Sequence, residues 1–206
     1  VADEYVWGRL AMVKIGFIVE GGTERIVLKS AAFAQWARHH GIEICGDVLD
    51  AGGGGNLLPQ NIAPLIRQLS QLQPEHIVIL ADLENEASTE VVKQRISNEF
   101  TKLIFISVKA LEAWFLADSD ALCKWLKQDG IHEALPEQTP GMPWERLKEL
   151  ARTHGRPGPG HSKKSFAKHM VSHYGFCISH AARHPACPSA REFHDGLIKL
   201  TQPHPT

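Results

Sequence analysis

VKIGFIVEGGTE, residues 13–24, sets a largely apolar seven-residue stretch, an acid, two glycines and a helix start in immediate succession. Val13–Val19 is strand-sized and rich in β-branched residues, and reads as a buried strand. From Thr23 to His39 the apolar residues Ile26, Leu28, Ala32, Phe33 and Trp36 recur at helical spacing. The stretch therefore predicts a β-turn-α unit, closed at Gly41 by a left-handed cap. Working outward, Ile42–Leu49, His76–Ala81 and Leu103–Val108 read as further strands, with helices at 57–69 and 90–100 between them. Strands alternating with helices predict an α/β fold, a mostly parallel four-stranded sheet flanked by helices on both faces.

Beyond Val108 the strand signals stop. Helical spacing continues around 111–127, 144–151, 164–174 and 191–200, with the loops PEQTPGMP, GRPGPGHS and HPACPS between. We expect an α/β core over 12–122, a basic, His-rich helical extension over 123–201 packed on it, and flexible ends at 1–11 and 202–206. With 206 residues, 43% hydrophobic and 22% charged, the chain can bury a sizeable core without staples, which excludes a disordered, fibrous or disulfide-dense protein. No apolar run approaches the roughly 20 residues of a membrane span. The first residues, VADEYVWGRLAM, carry acids where an export signal would carry positive charge. Cys45, Cys123, Cys177 and Cys187 form no CxxC, so reduced thiols and a cytoplasmic setting are expected.

The net charge of -1 conceals two unlike regions. Residues 12–118 carry 13 acids against 9 Lys or Arg; residues 119–206 carry 8 acids against 12. Between Leu150 and Arg191 there is no acid at all, while Arg152, Arg156, Lys163, Lys164, Lys168, Arg183 and Arg191 lie there. Such asymmetry points to a polyanionic partner, the alternative being a solvated helical face.

Ligands of an open α/β sheet bind at the carboxyl ends of the strands. Here Glu20 follows the first strand, Asp82 and Glu84 the third, and Lys109 and Glu112 the fourth. If the first and third strands are neighbours, Glu20, Asp82 and Glu84 converge, and carboxylates in one small volume repel. A hard divalent cation resolves that repulsion, and Mg²⁺ takes carboxylates, water and phosphate oxygens. The first turn matches neither GxxxxGK[ST] nor GxGxxG. A phosphate beside Glu20 would need an intervening metal.

The strand followed by V-E-G-G-T-E, and the later strand ending in D-L-E, resemble the Toprim domain of topoisomerases, primases and OLD-family nucleases. The stretch VKALEAWFLAD, 108–118, is more narrowly similar to a small bacterial Toprim-related family of unknown function often encoded beside ATPases. The resemblance covers about 13–122 and implies a Toprim/Rossmann-like core. It implies Mg²⁺- or Mn²⁺-dependent cleavage or transfer at nucleic-acid phosphodiesters, in anti-phage defence or repair, with an ATPase partner. Glu20 takes the place of the family glutamate, and Asp82 and Glu84 the place of its acidic pair, with D-x-E standing where D-x-D is commoner.

On that reading Glu20, Asp82 and Glu84 hold metal, Glu20 alternatively acts as general base, Lys109 stabilises charge at phosphorus, and Glu112 serves a second metal. Glu24 and Glu86 read instead as helix-start carboxylates, and Trp114 as core. Backbone N–H groups of Gly53 and Gly54, in the run Gly52–Gly55, can cradle a phosphate; the same run also reads as a mobile loop. Lys163, Lys164 and Lys168 are the expected substrate-backbone contacts. The histidine-rich tail pairs His169 with His173 and His180 with His184 at four-residue spacing, near Cys177 and Cys187, leaving zinc as a lesser alternative. Two other functions compete with a nuclease: a non-catalytic nucleic-acid-binding or adaptor subunit, and a metal-dependent nucleotide phosphatase.

Overall fold

Hydrogen-bond pairing joins all the strands in parallel, as the alternation of strands and helices predicts. The computed structural model describes residues 12–101 and 103–202; the expected flexible segment at 1–11 and most of that at 202–206 lie outside it. In chain order the elements are β1 (Val13–Val19), α1 (Gly22–Leu28), α2 (Ala31–His39), β2 (Ile42–Ile44), β3 (Leu49–Asp50), α3 (Pro59–Ser70), β4 (His76–Asp82), α4 (Thr89–Ile96) and β5 (Leu103–Ser107). They continue with α5 (Glu112–Ala117), α6 (Ser119–Leu126), α7 (Pro143–Thr153), α8 (Lys163–Ser172), α9 (Ile178–Arg183) and α10 (Pro188–Leu200). No helix among the described residues is long and apolar enough to cross a membrane.

The sheet has five strands rather than four, in the order β2-β1-β4-β5, with β3 also pairing β1. The expected strand over 42–49 is broken into two pieces along one edge. Ile15 pairs with Ile44 and Ile18 with Leu49, so the edge uses five residues where β1 uses three. The extra residues form a bend at Gly46, whose φ is +73°. Asp47 there is tied to Arg25 and Lys29 at 2.6 and 2.7 Å. The helix expected over 23–39 is likewise two: Ser30 turns out of the helix, and its hydroxyl caps α2 by accepting from the Phe33 amide. Asp118 does the same between α5 and α6, accepting from Ala121 at 3.1 Å.

One face of the sheet, through Ile15, Phe17, Val19, Val78, Leu80 and Phe105, packs on α1, α2 and the C-terminal helices. The other face, through Ile18, Ile79, Ala81, Ile104 and Ile106, packs on α3 and α4. β1 connects to β2 across the first face, whereas β3 connects to β4 and β4 to β5 across the second. Right-handed crossovers running in opposite directions fall on opposite faces. The reversal lies between β1 and β4, where a crevice opens at the strands' carboxyl ends. The C-terminal helices share one continuous apolar cluster with the sheet, and the boundary expected at residue 122 falls inside α6.

Candidate metal centre at the carboxyl ends of the strands

β1 and β4 are neighbours, with Val19 opposite Leu80, so Glu20 and Asp82 emerge side by side. The Asp82 amide donates to the Glu20 carboxylate at 3.1 Å, and the Glu20 amide donates to the Leu80 carbonyl at 3.0 Å. Glu84 follows in a left-handed turn, φ +51°, its amide donating to the Lys109 carbonyl at 2.6 Å. Glu20, Asp82, Glu84 and Glu86 line one open cleft of about 390 Å³ with Gly53, Gly54 and Arg95. The three acids expected to converge are brought to this one cleft.

Behind the cleft the acids continue inward. Asp82 accepts through Oδ1 from the Ser107 hydroxyl and from the Leu111 amide at 3.0 Å. Glu24 is 4% exposed and Glu112 is 2% exposed. Burial first, then Glu24, Glu112 and Glu20, push Asp82 well above the usual carboxylate range, against the Ser107 hydrogen bond. Burial likewise raises Glu20, with Glu84 adding to the effect and the Asp82 and Gly54 amides opposing it. Glu24 is pushed up to about 7, chiefly by burial and then by Glu112 and Glu20. Lys163 reaches in from α8, its ammonium 3.1 Å from Glu112. Burial pulls Lys163 down, but Glu112, Asp82 and Glu24 outweigh it and leave its pKa raised.

Glu24, expected only as a helix-start carboxylate, does fill that role by accepting from the Gly21 amide at 3.0 Å. It also stands near enough to Glu112, Glu20 and Asp82 for their charges to act on one another. The only sequence signal was its place four residues after Glu20, one helical turn from the strand end. Glu86 is instead paired with Arg95 at the cleft rim.

Lys109 departs from expectation. It adopts φ +62°, and its ammonium donates to the Thr139 and Gly141 carbonyls, the latter at 2.9 Å. Its side chain pins the loop before α7 and makes no hydrogen bond or ion pair to the acids, while its backbone carbonyl holds the Glu84 amide. Gly53 and Gly54 also serve the protein itself. The Gly53 amide donates to the Glu20 carbonyl at 2.8 Å, the Gly54 amide holds the Glu20 carboxylate down in pKa, and a Cβ on Gly54 would lie 3.2 Å from Glu20 Oε1. These glycines hold Glu20, which leaves them poorly placed as a phosphate cradle. Lys164 and Lys168 project from α8 on the side facing α1, next to Gly22.

Among the described residues the histidines do not assemble a zinc site with the cysteines. His180 meets Asp118 and Asp120, at 3.3 and 4.0 Å, and among the described residues this is the one group of three His, Cys, Asp or Glu side chains with ligand atoms close enough to share an ion; the carboxylates of the cleft stand farther apart. Asp118 already accepts from Ala121, Cys177 and His180, which accounts for its burial as a tether between α6 and α9. His184 stacks on His132 with ring centroids 5.0 Å apart, and Ala186 donates to its Nδ1.

The family model described as a domain of unknown function, DUF4276, matches residues 19–198, and the chain belongs to that family. No curated protein and no solved structure matches it. The matched span begins at the end of β1 and runs through α10, so it includes every acid of the centre and Lys163.

Proposed function

We propose that this member of the DUF4276 family is a divalent-metal-dependent phosphodiesterase of the Toprim kind, a nuclease or related phosphotransferase acting on nucleic acid. The observation that carries the reading is the Asp82 amide bound to the Glu20 carboxylate at the switch point of the sheet. That contact fixes acids from adjacent strands together, with Glu24 and Glu112 behind them and Lys163 as the near counter-charge. Four carboxylates accompany one ammonium, and burial first, then the neighbouring acids, raise the pKa values of Glu20, Glu24 and Asp82.

The donor set suits a hard cation: it consists of oxygens, with no thiolate or imidazole in it. Glu20 and Asp82 would hold the ion, and Glu84 would have to swing toward them to join, since no three carboxylates of the cleft lie close enough to share an ion as they stand. A bound Mg²⁺ or Mn²⁺ would supply neutralisation of phosphate charge and a water of lowered pKa. The protein's own groups divide the remaining work. Ser107 and the Leu111 amide orient the Asp82 carboxylate, leaving Oδ2 for the ion. Glu24, with a pKa near neutrality, is the group suited to take up or release a proton there. Lys163 presents its charge to a phosphate oxygen from the side of Glu112.

The reading includes a reducing, cytoplasmic setting, which fits four free cysteines, and an ATPase partner, as the Toprim resemblance implies. Cleavage of labelled DNA and RNA with Mg²⁺ or Mn²⁺ tests the activity, alongside Asp82→Asn and Glu20→Gln. Each substitution is expected to lower metal-stimulated cleavage by about a hundredfold or more, the scale of removing a group that handles the reacting proton or its metal. Equal activity in wild type and Asp82→Asn would assign the cleavage elsewhere. Strand binding without cleavage, with and without the partner ATPase, would favour the adaptor function.

A further inference from the structure

We propose that the groove between α1 and α8 is a second phosphate subsite, and that the substrate is therefore a phosphodiester strand held at two phosphates. This deepens the phosphodiesterase reading and rests on it for the position of the first phosphate, at the carboxylate centre. The groove encloses about 460 Å³ and gathers four cations: Arg25 and Lys29 from α1, Lys164 and Lys168 from α8. Asp47 takes Arg25 and Lys29 together, while neither Lys164 nor Lys168 pairs with a carboxylate among the described residues. Asp50 is the one acid lining the groove.

Two packed helices gain nothing from facing lysines and arginine, since like charges brought together repel. The arrangement makes sense when an anion lies between them. Asp47 and the Val48 carbonyl hold the Arg25 guanidinium in place, the latter at 2.9 Å from Nε. Gly22 gives Lys164 its room: a Cβ there would lie 2.3 Å from Lys164 Cε and 2.8 Å from its Nζ.

The groove and the carboxylate centre share a rim. Glu20 belongs to one and Gly22 to the other, a step of two residues that spans at most about 7 Å. Across the rim, Lys163 turns to Glu112 while Lys164 turns to the groove. A nucleic-acid strand carries a phosphate at every nucleotide, so neighbouring phosphates of one strand can reach both places. A single phosphate monoester can occupy only one.

The test is binding of a fluorescein-labelled 12-nucleotide single strand to the full chain with Ca²⁺ as the divalent ion, followed by anisotropy across a salt series. Wild type, Lys164→Ala/Lys168→Ala and, as a control, Lys148→Ala, an exposed lysine of α7 that lines neither the groove nor the cleft, are compared, with inorganic phosphate and AMP as competitors. Both groove lysines are exposed on a helix that tolerates alanine, and circular dichroism checks the fold of each variant. The double variant is expected to bind roughly tenfold more weakly and to lose about 1.4 from the slope of log affinity against log salt, two contacts at about 0.7 each. Lys148→Ala should keep the wild-type affinity, and phosphate and AMP should compete at least tenfold more weakly than unlabelled strand. Wild-type affinity and slope in the folded double variant, or no strand binding by wild type, would overturn the subsite. Phosphate competing as well as strand would overturn the two-phosphate substrate. Loss of strand affinity in the double variant together with absent metal-stimulated cleavage would instead sink the phosphodiesterase reading and leave the groove as a binding site.

Discussion

Glu24 makes the clearest prediction at the scale of one residue. Its carboxyl titrates near 7 in the folded protein and near its ordinary 4.5 when unfolded. A group whose folded pKa is raised holds its proton more tightly in the native state. Its stabilising contribution is complete below about pH 4.5 and is lost as pH rises through about 7. Glu20 and Asp82 are shifted in the same direction. Without metal, the protein should therefore be less stable at pH 8 than at pH 5, by about 3 kcal/mol from Glu24 alone. Urea unfolding across that pH range measures the difference. Glu24→Gln keeps an oxygen for the Gly21 amide and removes the charge, so it should flatten the profile and stabilise the protein at pH 8; an unchanged slope would assign the titration to other groups. Added Mg²⁺ should raise the midpoint at pH 8 for wild type and not for Asp82→Asn, because an ion bound only to the native state stabilises it. What the sequence revealed of this centre follows from adjacency: Glu20 and Asp82 each sit one step beyond a legible strand. Glu24 was harder to see because its second role depends on Glu112 and Lys163, far away in the chain. The hold of Lys109 on Thr139 and Gly141 depends on a loop thirty residues later, which no local pattern encodes.

Between elements, side-chain size at contact points decides what packs. Gly196 of α10 lies against Phe105 of β5, where an added Cβ would come within 2.5 Å of the ring. Phe105 cannot swing away easily, being 8% exposed and edge-on to Phe193 at 5.3 Å between centroids. Gly196→Ala gains about 1 kcal/mol of helix propensity, but overpacking costs about 1–3 kcal/mol. The expected result is a net loss, read as a lower urea midpoint at unchanged m-value; a stabilised variant would show that α10 shifts freely on the sheet. β1, β4 and the core of β5 were legible as apolar runs because both faces of a parallel strand are buried. The broken edge and the α1–α2 boundary were not read correctly. Their causes are a bend held by Asp47 with Arg25 and Lys29, and a cap at Ser30 inside an otherwise unbroken apolar period. The basic groove escaped for the same reason: Lys164 and Lys168 were visible as a cluster, but their partners Arg25 and Lys29 join them only when α8 packs along α1.

At the scale of the whole molecule, the C-terminal helices complete the core and the candidate centre together. Trp114 is fully buried and donates from its indole to the Ser189 hydroxyl at 2.8 Å, and that hydroxyl in turn bonds the buried Glu137 carboxylate at 2.6 Å. Phe115 packs edge-on against Phe166 of α8 and against Phe176, at 5.8 and 4.7 Å between centroids. A chain ending at residue 122 would uncover Trp114 and Phe115, as well as Phe105 beneath α10 and much of the apolar face that α5 turns to α7 and α9. At about 1.5–3 kcal/mol for each large apolar side chain, the loss is on the order of 10 kcal/mol, comparable with the whole stability of a domain. The fragment 12–122 is therefore expected to lack near-UV circular dichroism and a cooperative urea transition, while 12–202 shows both. A sharply unfolding 12–122 would mean that the α/β part is a domain in its own right. It would also mean that α8 docks on a finished fold, so that Lys163 could leave Glu112 without unfolding the sheet. If the fragment fails to fold, the helix that carries the counter-charge and the sheet that carries the carboxylates form one cooperative unit, and Lys163 meets Glu112 only in the folded whole.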